Sequence, residues 1–405
     1  MLDPQQPTLL ITVAGRERSG LRAALFREVA RHNAVVLDIE QLVVRGSMTL
    51  SFLLTDLDAD AEDHLTGRFI DLCRDIGLQV HTVRGYGDQV GDDPARAIVT
   101  VLADPLRAEH VAHVTSVFTR LGVHAYHIRR LSTSPTTIQF YLSGQGTSVE
   151  ALRPALARLG AREGFDVSVS PAGLRRYGRR LVVMDVDSTL IQDEVIELLA
   201  AHAGREKEVA AVTERAMRGE LDFAQSLHER VRALAGLPES VIGEVSRQLR
   251  LTPGADTLIR TLHSLGFTTA LVSGGFLEVI RPLADKLGIT RVQANQLEVV
   301  DGVLTGNVLG AVVDRAAKAD ALRRLAAEEG LPLDRTVAIG DGANDLDMLA
   351  LAGLGIAFNA KPAVRAAAST TLNVPNLDAV LSLLDISRAD IEEAEAEEAE
   401  AEQAP

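Results

Sequence analysis

Apolar and polar stretches alternate along the first 170 residues in one order of elements that occurs twice. In the first copy, apolar runs bounded by polar turns predict the order strand, helix, strand, strand, helix, strand. These elements cover Leu9–Val13, Leu21–Arg31, Val35–Val44, Met48–Thr55, Glu62–Ile76 and Gln79–Val83. After the glycine-containing link Gly85–Pro94, the order returns over Ala97–Leu102, Glu109–Leu121, Ala125–Ser132, Thr136–Leu142, Val149–Leu159 and Asp166–Val169. Two strands alternating with one helix predict two ferredoxin-like βαββαβ domains, over residues 1–88 and 89–172.

The pattern changes after the Pro-, Gly- and Arg-containing link Ser170–Arg180. Leu181–Met184 is a continuous apolar run, which is typical of a strand buried in a parallel sheet. Further strands are predicted at Thr268–Val272 and Thr336–Ile339, with helices between them. Residues 173–388 are therefore predicted to form a doubly wound α/β domain. The stretch from about 194 to 251 is helical without strands, and we expect it to form a cap over the sheet.

The last segment, residues 389–405, is an acidic low-complexity tail rich in Glu and Ala. It is predicted to be either disordered or a solvated, frayed helix. The net charge of the chain is −15, and more than half of it comes from Asp390 onward. The rest of the chain is only mildly acidic, so a small anionic substrate is not excluded.

Composition excludes several classes of function. An acidic chain with 3% aromatic residues and no Trp does not favour binding to nucleic acid or to an anionic membrane surface. The single cysteine, Cys73, excludes a disulfide framework or a Cys-based zinc site within the chain. The sequence has no stretch of 18 or more apolar residues, so no membrane-spanning helix is predicted. It also does not start with a basic segment followed by an apolar one, so no secretory signal is predicted. We therefore expect a cytoplasmic location.

The strongest chemical signal is Met184-Asp185-Val186-Asp187-Ser188-Thr189-Leu190. Two aspartates two residues apart follow a buried strand directly, where the chain leaves the sheet and both side chains can face one crevice. Burying carboxylates is costly unless a cation or a reaction requires them. Taken alone, the motif could instead be a helix cap by Asp187 or Ser188.

A second acidic turn, Gly340-Asp341-Gly342-Ala343-Asn344-Asp345, also follows an apolar strand. Its glycines permit a tight turn close to a ligand, and its carboxylates are expected at the same sheet edge as Asp185. Oxygen ligands of this kind are those that Mg²⁺ prefers. Taken alone, the turn could be an ordinary Asx-turn loop.

Two smaller features lie between these motifs. Ser273-Gly274-Gly275 ends a predicted strand, and its hydroxyl and backbone N–H groups could hold phosphate oxygens. Lys318 is one of four lysines among the 41 basic residues, and a compact ammonium suits a phosphate oxygen beside a metal. Alone, the first is a common turn and the second a solvated helix residue.

Together, in this order, the four motifs resemble the haloacid dehalogenase superfamily of phosphotransferases over about Leu181–Ser387. The resemblance implies a phosphatase with a phospho-aspartate formed on Asp185. It implies Mg²⁺ held by Asp185, the backbone carbonyl of Asp187 and Asp341, with Asp345 orienting a metal-bound water or Lys318. It further implies that Ser273, Gly274 and Lys318 hold the phosphate oxygens, and that Asp187 is the general acid and then the general base.

Within this superfamily, the Asp-x-Asp-Ser-Thr variant, the Gly-Asp-Gly-Ala-Asn-Asp turn and the insert resemble the phosphoserine phosphatase family. This implies hydrolysis of O-phosphoserine, the last step of serine biosynthesis. Glu194 matches the residue that meets the substrate ammonium, Arg230 the one that meets the carboxylate, and Phe223 an apolar lid residue. Asn344 is expected to contact substrate or phosphate. As single residues, Glu194 and Arg230 could be exposed helix positions and Phe223 a core residue.

The two N-terminal domains resemble ACT domains, which bind amino acids, often at a shared interface. The usual Asp-x-Pro-Gly turn stands here as Glu17-Arg18-Ser19-Gly20 in the first copy and Ala103-Asp104-Pro105-Leu106 in the second. The resemblance implies a homodimer and an amino-acid effector such as serine, although the modules could serve dimerisation alone. Two alternatives for the whole chain remain open: a phosphatase for another small monoester, and a catalytically silent amino-acid sensor.

Overall fold

The computed structural model describes residues 5–18, 20–87, 97–144, 147–172, 178, 180–218, 220–368 and 370–392. The chain divides into two compact units, Met1–Pro94 and Ala95–Pro405. The two predicted links, residue 19 of the first ACT-like turn and residues 393–405 of the tail lie partly or wholly outside the described residues, so the predicted domain boundaries stay predictions. Among the described helices, none has the length and apolar content needed to cross a membrane.

The first unit is a βαββαβ sandwich. Its elements are β1 (Pro7–Arg16), α1 (Leu21–Arg31), β2 (Val35–Val44), β3 (Ser47–Thr55), α2 (Ala59–Arg74) and β4 (Gln79–Tyr86). The antiparallel strands lie in the order β2-β3-β1-β4. Alternate residues of β3 are buried, and Leu50, Phe52 and Leu54 share one core with Leu25 of α1 and Phe69 of α2. The helices therefore cover one face of this sheet.

The second unit begins with another βαββαβ sandwich. It consists of β5 (Ala97–Ala103), α3 (Ala108–Leu121), β6 (His124–Thr133), β7 (Thr136–Ser143), α4 (Val149–Glu163) and β8 (Asp166–Pro171), with strand order β6-β7-β5-β8. Every residue of β5 is buried. Val99 and Val101 pack in the sandwich's own core, whereas Leu102 belongs to the core of the α/β domain that follows. Both faces of this sheet are therefore covered.

The α/β domain contains a seven-stranded sheet with the order β12-β11-β10-β9-β13-β14-β15. Its elements are β9 (Leu181–Met184), α5 (Val195–Ala203), α6 (Glu206–Met217), α7 (Phe223–Arg232), α8 (Ser240–Gln248), α9 (Ala255–Ser264), β10 (Thr268–Phe276), α10 (Leu277–Lys286), β11 (Arg291–Val300), β12 (Val303–Leu309), α11 (Arg315–Glu328), β13 (Thr336–Gly340), α12 (Leu346–Leu351), β14 (Leu354–Phe358), α13 (Pro362–Ala367), β15 (Thr370–Leu372) and α14 (Ala379–Leu383). Helices α5–α8 form the predicted cap.

The predicted fold class and the order of the predicted elements are confirmed, with differences in the bounds of several elements. Helix α2 starts at Ala59 rather than Glu62, because Asp58 caps it by accepting a hydrogen bond from Ala61 N. Strand β10 runs on through the Ser-Gly-Gly turn to Phe276. The prediction also missed β11, β12, β14 and β15. Strand β12 pairs antiparallel with β11, so the sheet is not wholly parallel.

A buried polar contact joins the second sandwich to the α/β domain within the second unit. The carboxylate of Asp166, at the start of β8, is 3% exposed. It accepts hydrogen bonds from Thr371 Oγ1 at 2.8 Å, Asn373 N at 2.7 Å and Asn373 Nδ2 at 2.5 Å. We call Asp166, Thr371 and Asn373 the latch. It pins the edge strand β15 to the sandwich.

Candidate active site

Three parallel strands bring the predicted motifs to one edge of the sheet. Strand β9 pairs with β10 on one side and with β13 on the other. Asp185 follows β9 directly, Asp341 follows β13 directly, and Ser273 lies near the end of β10. The backbone N–H of Asp185 donates to Ile339 O at 2.9 Å, which carries the pairing one step beyond the strand. The side chains therefore meet at the carboxyl edge, where ligands of α/β sheets bind.

Three aspartates form a compact oxygen cluster at this edge. One carboxylate oxygen each from Asp185, Asp341 and Asp345 can be chosen so that all lie within 4.8 Å of one another. The ammonium of Lys318 lies 2.8 Å from Asp185 Oδ1 and 2.7 Å from Asp345 Oδ1. Lys318 and Asp345 are fully buried. Asp185 Oδ1 is also buried, and it forms an ion pair with the ammonium of Lys318.

The cluster holds more negative charge than its one lysine balances. Burial and the charge of Asp345 raise the pKa of Asp185 well above its ordinary value. Burial and then Asp345 raise the pKa of Asp341 to about 6. Burial alone would lower the pKa of Lys318, but the carboxylates of Asp185 and Asp345 raise it. A hard divalent cation fits this set of hard oxygen ligands and would offset the mutual repulsion of the carboxylates.

Asp187 lies beside the cluster and faces the β10 turn. Its Oδ1 accepts a hydrogen bond from Val195 N at 2.9 Å, and its Oδ2 accepts one from Ser273 Oγ at 3.4 Å. Burial and then the charge of Glu194 raise the pKa of Asp187 to about 7. A Cβ at Gly275 would lie 2.7 Å from Asp187 Oδ2, so a glycine is needed for this approach. Asp187 is thus placed to hold or release a proton near neutral pH.

The loop after β9 turns sharply towards the cap. Ser188 has a left-handed backbone with φ of 55°, which is unusual for a residue with a side chain. Its hydroxyl donates to Glu194 Oε1 at 2.7 Å. Thr189 Oγ1 donates to Asp341 Oδ1 at 3.4 Å, and Thr189 O accepts from Thr252 Oγ1 at 2.7 Å. These bonds hold the loop against both the second acidic turn and the segment that returns from the cap at Thr252.

The cap places Phe223 and Arg230, both on α7, over the same edge. A Cβ at Gly274 would lie 3.0 Å from Phe223 Cζ, so the ring lies directly against the Ser-Gly-Gly turn. Arg230 donates to Ser226 O at 3.3 Å within its own helix. Burial lowers the pKa of Arg230, while the nearby charges of Glu194 and Asp187 raise it. Arg230 therefore faces the anionic crevice from above and shares it with Glu194.

Asn344 and Asp345 lie in the turn after β13. Asp345 Oδ2 accepts a hydrogen bond from Gly342 N at 2.9 Å. A Cβ at Gly342 would collide with Asn344 Oδ1. Asn344 is half-buried and makes no hydrogen bond with the other predicted residues within the described chain. Asp345 thus connects the turn to Lys318, and Asn344 keeps its amide available beside it.

Two arrangements at this site were not predicted. Asn295 on β11 is 1% exposed; its Nδ2 donates to Gly274 O and its Oδ1 accepts from Val313 N, both at 2.8 Å. It therefore connects the Ser-Gly-Gly turn to the segment that leads into the helix of Lys318. Asp193 accepts hydrogen bonds from Arg250 N at 2.8 Å and from Arg250 Nη2 at 2.6 Å. This pair joins the two chain segments that enter and leave the cap. No local signal marks either residue, because Asn295 stands where polar and apolar residues alternate and Asp193 lies between Gln192 and Glu194.

Comparisons with known proteins assign all three domains to known families. Residues 182–350 match the haloacid dehalogenase-like hydrolase family, and residues 7–82 and 96–170 each match an ACT domain family. The chain is 54% identical over 383 residues to the phosphoserine phosphatase of Streptomyces coelicolor, covering 94% of this chain and 93% of that protein. It is 47% identical over 387 residues to a phosphoserine phosphatase of Mycobacterium tuberculosis, covering 95% of each. The solved structure of a probable phosphoserine phosphatase from Vibrio cholerae, unliganded, is 35% identical with a TM-score of 0.56, covering 76% of this chain and 91% of that one.

Proposed function

The chain belongs to the phosphoserine phosphatase family of haloacid dehalogenase-like hydrolases, and we propose that it hydrolyses O-phospho-L-serine to L-serine and phosphate. The observation that carries the proposal is the meeting of Asp185, Asp187, Ser273 and Lys318 at one sheet edge, beneath Arg230 of the cap. This arrangement supplies a nucleophile, a proton donor, phosphate ligands and a binding group for a carboxylate.

Asp185 is the nucleophile of the proposed reaction. One of its carboxylate oxygens forms a bond to phosphorus while the bond from phosphorus to the serine oxygen breaks. The product is a phospho-aspartate and the serine hydroxyl. Lys318 lies 2.8 Å from Asp185 Oδ1, so its ammonium holds the attacking carboxylate in place. During the reaction the same ammonium would stabilise negative charge on a phosphate oxygen.

Asp187 moves the proton in both steps. The leaving serine oxygen is a strong base and needs a proton, which Asp187 can supply because its pKa is raised to about 7. In the second step Asp187 takes a proton from water as the water oxygen attacks phosphorus and the bond to Asp185 breaks. The hydrogen bond from Val195 N to Asp187 Oδ1 leaves Oδ2 directed towards the reacting atoms.

The phosphate is held by the Ser-Gly-Gly turn. Ser273 Oγ already lies between Gly275 N, from which it accepts at 2.8 Å, and Asp187. Its hydroxyl and the backbone of Gly274 would contact the equatorial phosphate oxygens, together with Lys318. Phe223 lies on this turn and would exclude water from it when the cap is closed.

Phosphatases of this superfamily use a divalent metal ion, and we propose Mg²⁺ here. Asp185 and Asp341, with the backbone carbonyl of Asp187, would hold it, and Asp345 would orient Lys318 from behind. When bound, the cation would reduce the repulsion between the phosphate dianion and the attacking carboxylate. The buried, crowded carboxylates favour this assignment, because one lysine leaves them under-neutralised.

The cap and the loop below it would recognise the serine part of the substrate. Arg230 would meet the substrate carboxylate in a bidentate contact, and Glu194 would meet the ammonium group. The two side chains lie in one crevice with opposite charges, which suits a zwitterion. Asn344 would contact the substrate or the phosphate. The contacts of Arg230 and Glu194 would favour phosphoserine over a phosphate monoester that lacks the carboxylate and ammonium groups.

The ACT domains suggest regulation by an amino acid, and we propose serine as the effector. Within the first unit, a cleft of about 410 Å³ on the sheet is lined by Asp38, Glu40 and Arg84, among others. Side chains of both charges suit an amino acid zwitterion. A homodimer and a cytoplasmic location stay predictions.

A substrate panel tests the proposed function. Phosphate release would be measured with O-phospho-L-serine, O-phospho-L-threonine and an aryl phosphate, each with and without Mg²⁺ and added serine. We expect the highest kcat/KM on phosphoserine, dependent on Mg²⁺. A higher kcat/KM on another monoester would replace the substrate, and no turnover of any would support a silent sensor.

A further inference from the structure

A cleft of about 630 Å³ lies between the second sandwich and the α/β domain, within the second unit. One wall is α4 and the other is the end of α13. We call it the arginine cleft, after Arg153, Arg158, Arg162 and Arg365, which line it together with Glu150 and small Ala and Pro side chains. None of its residues belongs to the site of phosphate chemistry. It is a separate place on the protein.

The charge of the arginine cleft is opposite to that of the chain. Four guanidinium groups face a single carboxylate, whereas the whole protein carries a net charge of −15. Arg158 forms no ion pair with any described residue, and Arg162 pairs at the rim with Glu163 at 2.7 Å. A concave surface with one sign of charge concentrates its field and attracts ions of the other sign. The cleft therefore favours an anion.

Arg153 lies deepest in the cleft and is only partly paired. Its Nη2 donates to Val169 O at 3.1 Å and to Gly353 O at 3.4 Å. Its Nε is buried and has no hydrogen-bond partner among the described residues. Burial lowers the pKa of Arg153, with Glu150 opposing the change. Burying a guanidinium group with one N–H left without an acceptor costs free energy. An anion bound in the cleft would accept that hydrogen bond and offset the cost.

The sequence of α4 keeps the cleft open. Arg153, Ala157 and Ala161 follow each other at four-residue spacing, and so do Arg158 and Arg162, so both rows lie on one face of the helix. The lining therefore combines small apolar alanine side chains with long cationic arginine side chains. This combination fits a ligand that has an anionic group and a small apolar part.

The cleft also connects to the latch. Arg365 Nη1 donates to Asn373 Oδ1 at 3.2 Å, and Asn373 in turn donates to Asp166. A ligand that draws Arg365 into the cleft would change the hydrogen bonds that pin β15 to the sandwich. Occupancy would therefore alter the stability of the junction between the two domains.

We propose that the arginine cleft is a second ligand site, which binds a phosphate group. The source of the phosphate is either free inorganic phosphate or a phosphorylated metabolite with an apolar part.

Calorimetric titration of the full chain, with divalent metal removed by a chelator, tests the proposal. The probes are inorganic phosphate and adenosine monophosphate. We expect at least one to bind with a Kd near or below about 1 mM. The double variant Arg158→Ala/Arg162→Ala should weaken that binding at least about tenfold, since both guanidinium groups that could make charge-assisted hydrogen bonds to the phosphate are removed. Arg120→Ala, an exposed arginine of α3 outside the cleft, is the matched control and should bind as the wild type does.

The two probes separate the sources. Equal affinity for both would assign free phosphate, and tighter binding of the nucleotide would assign a metabolite with an apolar part. Absence of binding, or binding that the double variant leaves unchanged while its thermal unfolding is normal, would overturn the proposal. Binding seen only after deletion of residues 393–405 would also overturn it, because the acidic tail would then be the natural occupant.

Discussion

The buried aspartate of the latch and the acidic cluster at the sheet edge differ in how their negative charge is balanced. At the latch, Asp166 accepts three hydrogen bonds from Thr371 and Asn373. At the sheet edge, Asp185 and Asp345 share the ammonium of Lys318, and Asp341 lies half-buried beside them. Burial with mutual repulsion raises the pKa of Asp185 and of Asp341. Burial also raises the pKa of Asp166, but its neighbours are donors rather than other acids.

The difference separates a structural carboxylate from a functional one. A buried acid surrounded by donors stabilises the fold, because each donor would be unsatisfied without it. A buried acid surrounded by other acids is destabilised by charge repulsion, which a bound cation would relieve. The same repulsion shifts the pKa of the acid, as is common at catalytic sites. We therefore expect the carboxylate of the latch to matter for stability and the carboxylates of the sheet edge to matter for chemistry.

The largest effect is expected for Asp185→Asn. The amide keeps the size of the side chain but cannot attack phosphorus, so kcat should fall at least about 10⁴-fold. One crowding charge is also removed, so the midpoint of thermal unfolding should stay the same or rise. The measurements are phosphate release, trapping of the phospho-enzyme, and calorimetry. Appreciable residual turnover would refute the nucleophile, and a large loss of stability would break the comparison.

Arg230→Ala is expected to damage substrate recognition. Losing a charged contact of about 1.5–3 kcal/mol should lower kcat/KM for phosphoserine roughly 10–100-fold. An aryl phosphate, which has no carboxylate, should be affected much less. Arg232→Ala, an exposed arginine of the same helix, is the matched control. Equal losses on both substrates would remove Arg230 from specificity.

Asn295→Ala should have a smaller effect on turnover. Without its amide, Gly274 O and Val313 N lose their partner, and the Ser-Gly-Gly turn is no longer fixed relative to Lys318. We expect kcat to fall about tenfold with KM changed less, as for a loss of roughly 1–2 kcal/mol of positioning. Asn307→Ala, at an exposed position of β12, serves as control. If KM rose and kcat stayed constant, Asn295 would have only a packing role.

The smallest effect on turnover, with the largest on stability, is expected for Asp166→Ala. Three donors would be left without an acceptor, so we expect a loss of about 2–4 kcal/mol in unfolding free energy. Because Asp166 is hydrogen-bonded to Thr371 and Asn373 and to none of the predicted catalytic residues, kcat at 25 °C should change less than about threefold. Asp166→Asn keeps one acceptor and should lose less stability. A large loss of kcat in a folded Asp166→Asn would show that the latch acts on the site.

The sequence predicted the residues at the catalytic edge of the sheet better than the residues that position them, such as Asn295 and the latch. Asp185 and Asp341 stand directly after apolar strands, and a parallel sheet must bring such positions together. The four motifs also resemble a known family, which assigned roles to Arg230 and Phe223. The cap helices and both βαββαβ domains followed from runs of apolar residues. The roles assigned to single residues stay predictions until variants are measured.

The supports were missed because their signals are non-local. Asn295 lies in a strand where polar and apolar residues alternate, and only the folded chain shows that it bridges two loops. Asp166 and Asn373 are more than 200 residues apart, so no local pattern predicts the latch. Strand β15 is three residues long, which is too short to be told from a loop by apolar content.

The most direct measurement is phosphate release from O-phospho-L-serine by chelator-treated protein, titrated with Mg²⁺. The account predicts no turnover without the cation, a saturable return as Mg²⁺ is added, and loss of that return in Asp341→Asn. Full turnover by metal-free protein, or an Asp341→Asn variant with the wild-type response to Mg²⁺, would contradict it.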